Sequence, residues 1–200
     1  MTFDVSRRAF VAGGAGAAAL FAVGGAIALV GTETSLLRPP GGQWDGFEGA
    51  CLRCDRCRTA CPNDCIALAR LEDGVFQARL PKMDFHRGYC DFCEQANDGV
   101  PLCREHCPTG ALRAFDPLKD KIGVAVVDRD TCIAWVRSGC DRCFGSCRFD
   151  ALTLDDMRPV IDAELCNGCG ECVNACTVNV FRSFNGRSER AVEVVLTNGA

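Results

Sequence analysis

The sequence predicts an α+β protein built from small repeated units, each a loop, a short helix and a β-hairpin. Three observations predict it. The 200 residues include 17 Cys, and all but one fall into four groups of four at similar spacing. Turn signals followed by β-branched or apolar segments recur between the groups. Large aromatic side chains are sparse, with two Trp, one Tyr and twelve Phe, so cysteine chemistry must help to hold the chain together.

The N-terminus speaks to compartment. Arg7 and Arg8 follow Ser6 and precede Phe10, and Val11 to Gly31 then run 21 residues without a charge, rich in Ala and Gly. A twin arginine before a weakly apolar stretch is the twin-arginine export signal. That route carries folded proteins, as a chain whose cofactor is assembled in the cytoplasm requires. No small-x-small cleavage site stands out, and about 20 apolar residues span a bilayer, so residues 1–31 read as a signal or an anchor. No other stretch is apolar enough to span. The remainder is therefore expected in the periplasm, on the outer face of the cytoplasmic membrane. Residues 32–48 read as a linker around Pro39, Pro40, Gly41 and Gly42, and residues 49–200 as the folded domain. The formal net charge of −4 offers no basic excess for phosphates, which argues against a nucleic-acid partner.

The four groups carry the chemistry. The first is Cys51, Cys54, Cys57 and Cys61, with Pro62 after it. The second is Cys90, Cys93, Cys103 and Cys107, with Pro108 after it. The third is Cys132, Cys140, Cys143 and Cys147, and the fourth Cys166, Cys169, Cys172 and Cys176. The first is the bacterial ferredoxin run in full, and the fourth shares its spacing with Thr177 in place of Pro. The other two each hold one longer loop. Three cysteines two residues apart wrap three irons of one cubane, while the fourth points to the partner cluster. Thiolates are the soft ligands that such centres require. The expectation is four [4Fe–4S] clusters, held by these sixteen cysteines in tandem or nested ferredoxin-like units.

Zinc would use pairs separated by a long spacer, and four ligands within eleven residues suit separate tetrahedra poorly. A disulfide scaffold fits neither the odd cysteine count nor export in the folded state. No Gly-rich nucleotide loop, acid/base pair or nucleophile constellation is present, so no catalytic residues are expected and the chain reads as an electron carrier, not an enzyme.

The segments after each last cysteine also repeat. The fourth place holds Cys65, Ala111, Ala151 and Val180, and the fifth Ile66, Leu112, Leu152 and Phe181. A short helix packed on a cluster is expected at each. Strands are expected at Phe76 to Leu80, after the Asp73-Gly74 turn, at Ile122 to Val127, at Pro159 to Asp162 and at Ala191 to Leu196, with a turn at Asn185-Gly186. Cys65, the leftover cysteine, reads as a small buried side chain or as a redox thiol. His86 and His106 lack a ligand-spaced partner and read as local residues. Arg53, Arg56, Arg58, Arg104, Arg142 and Arg148 interleave with the cysteines, either to offset cluster charge or as a solvated face.

In these features the chain resembles the NapG/MauM ferredoxin-type proteins, associated with periplasmic nitrate reductase and methylamine oxidation systems. The shared features are the twin-arginine signal, Leu37 to Gly41 before the first group, and the order and loop variants of the four groups. The resemblance implies a relay between a membrane quinol dehydrogenase and a periplasmic reductase, commonly a molybdenum enzyme. Two other roles stay open: the electron-transfer subunit of a molybdopterin oxidoreductase complex, and a redox sensor acting through Cys65. Two pairings of the groups also stay open. In one, groups one and two share a unit, as do three and four. In the other, resembling four-cluster subunits of molybdenum oxidoreductases and the one expected, groups one and four enclose two and three. The nested form places Cys51, Cys54 and Cys57 with Cys176, and Cys166, Cys169 and Cys172 with Cys61. Its inner clusters take Cys90, Cys93 and Cys103 with Cys147, and Cys132, Cys140 and Cys143 with Cys107.

Overall fold

A computed structural model describes Gly16 and residues 36–137, 139–184 and 189–196, with the side chains of Ser183 and Phe184 excepted. The chain divides into two units, Met1–Thr34 and Ser35–Ala200, and the fold set out below is that of the second. The twin-arginine pair, the apolar run apart from Gly16 and the Asn185-Gly186 turn lie outside the described residues. No helix among the described residues is long and apolar enough to cross a membrane.

Six short strands form three antiparallel pairs. Strand β1 (Ile66–Leu68) pairs with β2 (Pro81–Met83), with Leu68 opposite Pro81. A two-stranded sheet is all edge, so a proline, which cannot donate to a ladder, is tolerated there. Strand β3 (Val124–Val127) pairs with the last strand, β6 (Val192–Val195). Strands β4 (Leu152–Asp155) and β5 (Arg158–Ile161) form a tight hairpin. Its two turn residues, Asp156 and Met157, are both left-handed, at φ 47° and 59°, as the twist of a two-residue hairpin requires.

The helices differ from expectation. They lie inside the cysteine groups: Arg56–Thr59, Leu102–Glu105 and Glu171–Ala175, with a 3₁₀ turn at Phe144–Ser146. After the last cysteine only the fourth group continues as a helix, Thr177–Phe184. The cause is one position. Three residues past Cys61, Cys107 and Cys147 stand Asp64, Gly110 and Asp150, at φ 49°, 65° and 53°. A left-handed residue ends a helix, and the chain turns inward. Cys65, Ala111 and Ala151 follow, each at most 2% exposed. The equivalent Asn179 is helical, and Val180 after it is 47% exposed. The Phe76 to Leu80 segment is also turn rather than strand; β2 begins one residue later, where Pro81 fixes φ.

Asn179 shows why the fourth repeat departs. Its Nδ2 donates to the carbonyls of Val173 (3.1 Å) and Val192 (2.8 Å), and its Oδ1 accepts from Ala191 N (2.9 Å). The helix thus clamps β6, which closes the fold by pairing with β3. Asn179→Ala is expected to cost about 2–4 kcal/mol, since buried backbone groups lose partners. Denaturant unfolding measures this, and an unchanged midpoint would refute the clamp.

The expected linker is part of the fold from residue 36 on. Leu36, Pro39, Pro40 and Phe47 are buried. Trp44 Nε1 donates to the Ala111 carbonyl (2.9 Å), and Gln43 Nε2 to that of Ile122 (3.0 Å). The Arg113 guanidinium lies 3.5 Å from the centre of the Trp44 ring. Proline and glycine here make a packed strap: Gly41, at φ 79°, abuts the Arg113 backbone.

Candidate metal centres

The described residues bring the sixteen cysteines together in four quartets, three of them around a cavity. Cys51, Cys54, Cys57 and Cys107 line one, with Phe47 in its wall. Cys61, Cys90, Cys93 and Cys103 line a second, with the Cys65 thiol also in its wall. Cys147, Cys166, Cys169 and Cys172 line a third. Cys132, Cys140 and Cys143 neighbour Cys176 closely enough for their charges to act on one another. Groups one and two therefore exchange their fourth cysteines, as do three and four. This corrects the nested pairing: Cys176 does not join Cys51, nor Cys61 join Cys166. The physical reason lies in the short helices. In the first, second and fourth groups the third cysteine sits within the helix and the fourth just past its end, facing the neighbouring quartet.

The loops curl by left-handed residues. Arg53 and Asp55, at φ 53° and 67°, precede Cys54 and Arg56; Gly168 and Gly170, at φ 76° and 79°, stand at the same places in the fourth group. Glycine adopts this conformation freely, whereas other residues store about 1–3 kcal/mol each. The curl turns backbone N–H groups toward sulfur. Arg53 N donates to Cys51 Sγ, Leu102 N to Cys93 Sγ, and Ala125 N to Cys166 Sγ, each at 3.4 Å. Such donors stabilise negative charge on sulfur.

Burial governs the thiols. It pushes Cys57 and Cys169 up to about 12 and Cys143 up to about 11, and raises Cys103 and Cys172 further. Cys61 moves the other way, to about 6, because the Cys65 thiol hydrogen-bonds it from 3.5 Å. On Cys107 burial acts upward, but hydrogen bonds from Leu112 N and the Thr109 hydroxyl outweigh it. Buried neutral thiols must shed protons to bind metal, so loading is coupled to proton release.

The donor set fits an iron–sulfur centre. None of the seventeen cysteines is in a disulfide. Among the described residues no three His, Cys, Asp or Glu side chains converge on a single-ion position; the thiols ring a space instead. Four thiols around one space suit a polynuclear centre in which each iron takes one thiolate.

The quartets adjoin in a fixed order. The helix Arg56–Thr59, which carries Cys57, packs on the helix Leu102–Glu105, which carries Cys103, linking the first two. Cys90 N donates to the Cys169 carbonyl at 2.8 Å, linking the second and third. The helix Glu171–Ala175, which carries Cys172, packs on the Phe144–Ser146 turn that follows Cys143, linking the third and fourth. Arg148 staples the middle junction, pairing with Glu94 (3.2 Å) and Glu171 (2.9 Å). Phe92 packs there too, its ring 5.4 Å from that of Phe115 and 5.9 Å from that of Phe149. This aromatic cluster carries no spacing signal and is invisible in the sequence. Of the other arginines, Arg58 pairs with Asp55 (2.6 Å) and Arg53 Nη2 donates to the Phe76 carbonyl (2.8 Å). Arg56, Arg104 and Arg142 are exposed. His106 Nδ1 meets the Leu102 carbonyl (3.0 Å), and His86 contacts Arg190; neither joins a quartet.

Short helices, strand pairs and ringed thiols define a small iron–sulfur protein of the ferredoxin type. Residues 158–181 match the 4Fe-4S binding domain family. The ferredoxin-type protein NapG of Escherichia coli is 35% identical over 159 residues, 71% of this chain and 66% of that protein. The methylamine utilization ferredoxin-type protein MauM of Paracoccus denitrificans is 33% identical over 194 residues, 87% of this chain and 84% of that protein. The ferredoxin-type protein NapF of Escherichia coli is 33% identical over 159 residues, 72% of this chain and 82% of that protein. The chain belongs to the NapG/MauM family of ferredoxin-type proteins, and its matched region spans 66% of the length of Escherichia coli NapG.

Proposed function

We propose that the chain holds four [4Fe–4S] clusters in its sixteen quartet cysteines and relays electrons along them. In this reading it works at the outer face of the cytoplasmic membrane, after twin-arginine export, between a membrane quinol dehydrogenase and a periplasmic reductase of the molybdenum type. The observation that carries the reading is the order of the quartets, each beside the next. When bound, each cluster supplies one-electron exchange without bond making. The chain's own residues hold the sulfurs, exclude water through Phe47 and Phe92, and point N–H groups at the thiolates. Membership of the family and the 4Fe-4S match support the coarser statement, an iron–sulfur electron-transfer protein.

Purified without oxygen, the full chain is expected to carry about sixteen irons and about sixteen acid-labile sulfides, four of each per cubane. Bound zinc, or oxidised cysteines without sulfide, would overturn the assignment. Reduction of an oxyanion by the purified chain alone would overturn the non-catalytic role.

A further inference from the structure

The linear order gives the relay two ends, and they differ. The quartet of Cys51, Cys54, Cys57 and Cys107 contains the one exposed cysteine, Cys54. Around it the chain leaves large apolar side chains in water: Leu52 is 66% exposed, Val75 71% and Phe76 72%. Leu52 and Arg79 line the cavity of this quartet, and the hydrogen bond from Arg53 to the Phe76 carbonyl ties the apolar loop to the cysteine loop. Such a patch on a small protein marks an interaction surface. Its charge is distinctive. Arg53, Arg56 and Arg79 gather here although the chain as a whole carries −4, and the carboxylate in the same cavity wall, Asp55, is paired with Arg58 at 2.6 Å.

We infer that this end is the docking port for a redox protein whose contact face has an apolar centre and an acidic rim. Leu52, Val75 and Phe76 form the apolar contact and the three arginines meet the rim. The inference rests on the cluster reading above. A partner seated here brings its redox centre against the most exposed quartet, with water displaced from the path. Opposite charges orient the encounter and speed it. An anionic lipid surface would also meet arginines and apolar side chains, but it would seal Cys54 from any electron donor or acceptor, so a protein is favoured.

The test uses the loaded full-length chain on a gold electrode under a mixed carboxylate- and methyl-terminated monolayer, which presents the proposed chemistry. Fast interfacial electron transfer is expected there, weakening as salt rises. Leu52→Ser with Phe76→Ser, and separately Arg56→Gln with Arg79→Gln, are each expected to slow it at least about tenfold, the scale of losing one interface hot spot. Val136→Ser with Phe144→Ser, at exposed residues beside the far quartet, should leave the rate unchanged. Undiminished rates in loaded port variants would overturn the port alone. So would binding to phosphatidylglycerol vesicles that the port substitutions abolish, which would mark a lipid contact. Iron and sulfide are counted in every variant, and a native chain without them overturns the cluster reading and the port together.

Discussion

Replacing Cys51 and Cys107 together with Ala is expected to delete one centre and leave three, with iron falling from about sixteen to about twelve per chain. Both thiols line one cavity, so the second substitution strikes a cluster already lost. Cys51→Ala with Cys176→Ala should instead damage two centres, because Cys176 belongs with Cys132, Cys140 and Cys143. The nested arrangement makes the opposite forecast: Cys51 and Cys176 would share a cluster, and Cys51 with Cys107 would span two. Anaerobic iron counts and the number of reducible paramagnetic signals that change separate the two. Two perturbed centres in the Cys51/Cys107 variant would sink the pairing described here.

The second large effect concerns backbone, not sulfur. Gly168→Ala is expected to destabilise the chain by about 3–5 kcal/mol, near the upper end for single substitutions. A Cβ at Gly168 would sit 2.5 Å from the Gly123 carbonyl oxygen and 2.6 Å from its nitrogen, and backbone cannot step aside as a side chain can. The φ of 76° adds strain. The approach is enforced by the hydrogen bond from Ile122 N to the Asn167 carbonyl, at 2.8 Å. Arg53 is the matched position in the first group. Arg53→Gly relaxes a left-handed residue while losing the bond to Phe76, so its effect should stay within about 1 kcal/mol. Paired denaturant curves on loaded protein test the contrast, and equal midpoints for Gly168→Ala and the native chain would refute it.

Much of the candidate site was legible beforehand because its signal is local. In groups one and four the Cys-x2-Cys-x2-Cys-x3-Cys run curls its first three cysteines over one space and carries the fourth to the neighbouring quartet, and groups two and three end in the same Cys-x3-Cys, so the sixteen cysteines stand out by spacing. Other features were not legible. The helices expected after Cys61, Cys107 and Cys147 fail because one left-handed residue, Asp64, Gly110 or Asp150, outweighs the apolar pattern behind it. Only Gly among these announces such a conformation; Asp is equally at home in a helix N-terminal turn. The strap from Leu36 to Phe47 reads as a linker because Pro and Gly mark both free loops and tight packing, and contact with Arg113 decides between them.

The sequence by itself determined the ligand type, the number of thiol groups and the family, because these depend on residues a few places apart. The tertiary structure alone decided which group lends its fourth cysteine to which, and in what order the quartets stand. Those are relations between residues far apart in the chain, set by the direction in which each short helix ends and by the packing of Phe92, Arg148 and the Cys90 to Cys169 hydrogen bond at the junction.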